Sequence, residues 1–127
     1  MNIQVEWDNN EKTIILHTYP LYWEWQDVQV ARAQSRLMLD SVHYKVHFIF
    51  DMQKSPRIPG NYMEQMKALN QGIHPNIGLA ITVCSNPLVK DLFYVFSATM
   101  GGVDFEYRFA RTVDEARAIL RKWTGHS

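Results

Sequence analysis

Apolar and polar residues alternate along this chain with two different periods, and each change of period marks a new element. Ile3 and Val5 alternate with Gln4 and Glu6, the two-residue repeat of a half-buried strand. Asp8-Asn9-Asn10-Glu11 is a turn cluster, and the β-branched, apolar run Thr13–Thr18 reads as the returning strand of a hairpin. Tyr19-Pro20-Leu21-Tyr22 breaks the sheet pattern. From Trp23 to about Ser41 there is no Gly or Pro and good helix formers dominate. Val30, Ala33, Leu37 and Ser41 recur there at three- and four-residue steps and predict the buried stripe, with Gln29, Arg32 and Arg36 on the wet side.

Tyr44–Phe50 follows, nearly continuous in apolar residues at Val46, Phe48, Ile49 and Phe50. Such a run suits a central strand covered on both faces, and Asp51 ends it. The loop Met52–Gly60 contains Pro56 and Pro59 and is irregular. Asn61 with Glu64 predicts a capped helix start, the helix running to about Gln71 before Gly72 stops it. Ile77–Cys84 is a second buried strand. Ser85-Asn86-Pro87 opens a helix that carries Leu92, Val95, Phe96 and Met100 and ends at Gly101-Gly102. Val103, Phe105, Tyr107 and Phe109 alternate with Asp104, Glu106 and Arg108, which marks a strand with one wet face at a sheet edge. Thr112-Val113-Asp114-Glu115 is a capping box for a last helix to about Trp123. Arg117, Arg121 and Lys122 complement the dipole at its end.

The predicted order is β-β-α-β-α-β-α-β-α. Strands joined through helices of this length run parallel with right-handed crossovers, and the first strand adds an antiparallel arm. The fold class is therefore α/β, a mixed five-stranded sheet with helices packed on it.

A length of 127 residues suits one domain, 1–127, which on folding buries about two-thirds of its surface. Thirteen Lys+Arg balance thirteen Asp+Glu. This neutrality gives no electrostatic footprint for a polyanion, so no nucleic-acid partner is expected. Cys84 is the single cysteine, which excludes an internal disulfide and fits a reducing compartment. The segment Met1–Asp8 has neither the basic start nor the apolar run of a signal peptide. No stretch approaches the ~20 apolar residues of a membrane helix. The expectation is a soluble, cytoplasmic domain without a membrane partner.

Candidate chemistry is thin. There is no GxGxxG, GxxxxGK[ST] or GxSxG motif. Cys84 ends a strand, where open α/β sheets place ligands, yet no local histidine activates it, and a small buried apolar role fits it better. His43 and His47 are four positions apart, but along a strand that is about 13 Å, too far to share one ion. His17, His74 and His126 have no ligand-spaced neighbours. No metal, no cofactor and no enzymatic activity are expected. The carboxylates Asp8, Glu11, Glu24 and Asp27 sit at turns or helix starts, where the macrodipole favours them. Tyr19, Tyr22, Trp23 and Trp25 form either a lid over one end of the sheet or an exposed anchor patch. The loop Asp51–Gly60 joins the C-terminal end of a central strand to a helix N-terminus. Its polar members Lys54, Ser55 and Arg57, with Asn61, suit a recognition surface.

An opening hairpin, a helix and three strand–helix repeats resemble the layout of STAS domains, the fold of bacterial anti-sigma-factor antagonists. Val46-His47-Phe48-Ile49-Phe50-Asp51 looks like their central strand, and Pro59-Gly60-Asn61 occupies their turn into the second helix. The stretch from Arg111 to Leu120 is similar to their last helix. The sequence also resembles small proteins grouped as STAS- or SEC14-like. The resemblance implies a non-enzymatic regulatory protein–protein interaction module. Its partner would be a regulatory kinase, an anti-sigma-like protein or a second copy in a homodimer. Family members are switched by phosphorylation of a serine, in an Asp-Ser pair eight and nine residues after the strand-ending aspartate. Those places hold Pro59 and Gly60 here, so the acceptor is absent, and Ser55 lies elsewhere in the loop. The implied surface is Asp51, Ser55, Arg57, Gly60 and Asn61, with Ser85 and Asn86 at the same sheet end. The alternative is a SEC14-like binder that holds a small apolar molecule between sheet and helices, with Met63, Met66, Phe93, Tyr94 and Phe96 as its lining.

Overall fold

The computed structural model describes residues 2–55, 57–99 and 105–123. The Gly101-Gly102 stop, Met100, the strand start at Val103 and Asp104, Pro56 and His126 lie outside the described residues. Within them the predicted order holds: β1 (Gln4–Trp7), β2 (Ile14–Thr18), α1 (Trp25–Asp40), β3 (Val46–Asp51), α2 (Tyr62–Leu69), β4 (Ile77–Val83), α3 (Pro87–Thr99), β5 (Glu106–Ala110) and α4 (Val113–Lys122). The sheet runs β1-β2-β3-β4-β5, with β1 antiparallel to β2 and every other pairing parallel. The apolar run of β3 is thus at the centre and the alternating β5 at an edge.

Because β2 to β5 lie side by side in chain order, right-handed crossovers carry α1, α2 and α3 to one face of the sheet. α4 packs on the opposite face, against β3, β4 and β5. The sheet therefore separates two interiors. On the α4 side Ile49, Leu79, Ile81 and Val83 meet Ala110, Ala116 and Leu120 in an aliphatic core. Thr112 starts α4 as predicted, its Oγ1 accepting the Glu115 N–H at 3.0 Å. Arg117 does not serve the helix end. It forks onto Asp8 beyond β1, Nε donating to Oδ2 at 2.9 Å and Nη2 to Oδ1 at 2.7 Å, while Arg121 and Lys122 occupy the last turn.

The other face differs from the sequence pattern in two places. On α1 the buried residues are Ala31, Ser35 and Leu39, whereas Val30 and Leu37 are 52% and 73% exposed. The inward stripe contains a serine whose hydroxyl donates to the Ala31 and Arg32 carbonyls at 3.1 and 3.0 Å. That internal satisfaction lets a polar residue occupy a core position. On α2, Asn61 precedes the helix in the left-handed region, φ 64°, and its side chain makes no cap bond. Gly72 also adopts a left-handed φ of 65° beyond the helix end.

Between the pairs Val46–Ile77 and Phe48–Ala80 the register slips by one residue on β4, and the bulge there receives the ring of His47. Its Nδ1 accepts the Leu79 N–H at 2.9 Å, and a Cβ on Gly78 would stand 2.6 Å from that same nitrogen. Glycine at 78 is therefore required by the approach of the imidazole.

Candidate functional site

The strand registers lay side chains in rows across the face beneath α1, α2 and α3. One row is Ile15, Phe48, Ala80 and Tyr107; the next is His17, Phe50, Thr82 and Phe109. Small residues on β4 sit between rings on β3 and β5, so the middle of the floor is low. Above it, α2 has no buried residue. Its Met66 and Leu69 stay half-buried above the floor. A cavity of about 220 Å³ lies between helix and floor, walled by Ala31 and Ser35 of α1, Met66 and Leu69 of α2, and Phe93 and Phe96 of α3.

Aromatic rings dominate the walls. Phe93 packs on Tyr107 at 4.5 Å between ring centres and on Phe109 at 5.8 Å, both edge-on. Tyr19, Trp23 and Trp25 form a chain of edge-to-face contacts at 5.1 Å over the C-terminal ends of the strands. Trp25 Nε1 donates to the Gly60 carbonyl at 2.6 Å, which ties this group to the start of α2. Tyr19 and Trp23 are buried, Trp25 is half-buried and Tyr22 is 61% exposed. Three of the four aromatic residues thus form the lid, and burial pushes the Tyr62 phenol beside Trp25 up to about 12.

The polar groups of the cavity are few. His17 is 3% exposed, its ring 5.1 Å from Phe48 and 4.8 Å from Phe50. Burial lowers its pKa to about 3, so it is neutral at physiological pH. His17 Nδ1, Trp23 Nε1 and Asn70 Oδ1 have no hydrogen-bond partner, and all three side chains line the cavity. Among the described residues Arg32 is the one charged side chain of the lining. Its Nη2 already donates to the Gln71 carbonyl at 2.6 Å, and Arg36 reaches the Gly72 carbonyl at 2.9 Å. No known family's sequence model, no curated protein and no solved structure matches this chain.

The sequence-derived surface lies at the C-terminal end of the sheet but is not uniform. Arg57, Gly60, Asn61 and Ser85 are exposed, and Asp51 and Asn86 are half-buried. Asp51 Oδ1 accepts the Gln53 N–H at 3.1 Å, and Asn86 Oδ1 accepts the Leu88 N–H at 2.9 Å. Ser55 is 4% exposed, its hydroxyl donating to the Pro20 carbonyl at 2.6 Å, so it fastens the loop from within. Of the residues named for an apolar pocket, Met66, Phe93 and Phe96 line the cavity, whereas Met63 and Tyr94 face outward. Cys84 is half-buried just beyond β4, its thiol pushed up in pKa by burial.

His17 carries the polar feature of the site, yet ligand spacing gives it no role. The signal that finds it is the alternation Ile15, His17, Tyr19, which places the histidine on the core-facing side of β2.

Proposed function

We propose that this protein is a non-enzymatic binder of a small, mostly apolar molecule held between the sheet and α1–α3. The observation that carries the reading is the aromatic cavity of about 220 Å³. An apolar molecule seated there takes its own surface and that of the rings out of water, at about 25 cal/mol per Å². An apolar cavity of ~150 Å³ holds benzene, so this one suits roughly nine or ten non-hydrogen atoms.

The test uses naphthalene as the probe. Saturating naphthalene raises the melting temperature by several degrees, and native mass spectrometry of the purified protein finds a small bound molecule. Ala80→Phe raises the floor between Phe48 and Tyr107 and abolishes the naphthalene effect. A melting temperature indifferent to naphthalene in the unsubstituted protein overturns the reading.

A second reading, a STAS-like regulatory interaction module, is favoured by one observation. Leu21, Tyr22 and Leu88 are exposed apolar side chains at the sheet end that also presents Arg57, Gly60, Asn61 and Ser85. The partner is a protein, either a regulatory kinase or anti-sigma-like protein or a second copy of this chain. Sedimentation over a range of concentrations tests the second copy: Tyr22→Ser with Leu88→Ser weakens the dimer, and a monomer at every concentration removes it.

A further inference from the structure

The histidine on the cavity floor has a buried ring nitrogen with nothing to bond. A neutral imidazole has one donor and one acceptor nitrogen, so Nδ1 of His17 needs a partner in either tautomer. On the sheet its register neighbours are Phe50 of β3 and Val5 of β1, with Phe48 diagonal to it, and the next polar side chain in the row is Thr82, about 10 Å away across two strands. Along the sheet a lone water there finds no second polar side chain within reach. A charged group fares no better, since Arg32 is committed to the Gln71 and Gly72 carbonyls beyond α2 and no other charged side chain among the described residues lines the cavity. Rings set edge-on to one another present faces and edges that match a flat π-system better than a saturated chain.

Resting on the cavity reading above, we infer that the ligand is an uncharged, planar aromatic molecule with a hydrogen-bonding group, seated against Phe48 and Phe50 and bonded to the ring of His17. The aromatic body supplies the affinity by burial. The polar group that meets His17 supplies the selection, because a buried polar atom left unmet discriminates against ligands that cannot meet it.

The probes are 2-naphthol, naphthalene and 2-naphthoate, with affinities read by backbone chemical-shift titration. In His17→Phe the ratio of 2-naphthol to naphthalene affinity falls by roughly three- to tenfold. Without any substitution, 2-naphthol moves the imidazole nitrogen signals of His17 and naphthalene leaves them in place. 2-Naphthoate binds more weakly than 2-naphthol. A ratio unchanged in His17→Phe, imidazole signals unmoved by 2-naphthol, or tighter binding of 2-naphthoate each overturns the inference while the hydrocarbon-binding cavity stands. Failure of both naphthalene and 2-naphthol to bind removes the cavity reading and this inference together.

Discussion

A histidine set among phenylalanine rings links folding to pH in a direction that can be worked out. The pKa of His17 falls from 6.5 to about 3 on folding, so between those values the unfolded chain holds the proton and the folded chain does not. The folded state is favoured fully above pH 6.5 and loses that advantage as the pH falls toward 3. Between pH 7 and pH 4.5 this one group withdraws about 2–3 kcal/mol of stability. Urea unfolding at a series of pH values measures the slope, and His17→Phe flattens it. A slope that survives the substitution assigns the acid sensitivity to other groups. The proton that destabilises the fold also converts the imidazole to a double donor, so binding of any acceptor ligand shifts the same equilibrium.

At the level of elements, α1 shows why a stripe of apolar residues is not always the buried one. Val30 and Leu37 satisfy the helical period, yet they are exposed, and the inward positions hold Ala31, Ser35 and Leu39. The serine conceals the true stripe from a hydrophobicity count, because its hydroxyl is satisfied by its own helix. Ser35→Ala is therefore expected to change stability by less than about 0.5 kcal/mol, whereas Leu39→Ala costs about 2–5 kcal/mol. Thermal or urea unfolding of the pair decides between this stripe and the Val30–Leu37 one. The strands were more legible. β3 and β4 announce themselves as buried runs and β5 as an alternating edge, since burial on one or two faces writes itself directly into the residue order. The cap of α4 was equally plain, because it is a local bond between Thr112 and Glu115. The cavity was legible only in part. Phe93, Phe96 and Met66 could be named from the sequence, but an empty space depends on how far α2 stands from the sheet, and no local pattern records that. Met63 and Tyr94 look equally suitable in one dimension and face solvent in three.

Across the whole molecule the sheet divides a tight aliphatic layer from a hollow aromatic one. α4 seals the first with small and branched side chains, while three helices roof the second without filling it. The two halves answer different demands: the α4 face holds the strands in register, and that rigidity lets the opposite face remain open. The fork between Arg117 and Asp8 joins partners 109 positions apart. Such a link closes late, after both margins of the sheet have assembled, so it contributes little at the folding barrier and acts afterwards as a latch. Stopped-flow kinetics of Arg117→Met should show faster unfolding with the refolding rate nearly unchanged. Its value to the protein is then measured in lifetime: a hollow layer that opens to admit a guest is tolerable only if the rest of the chain comes apart slowly.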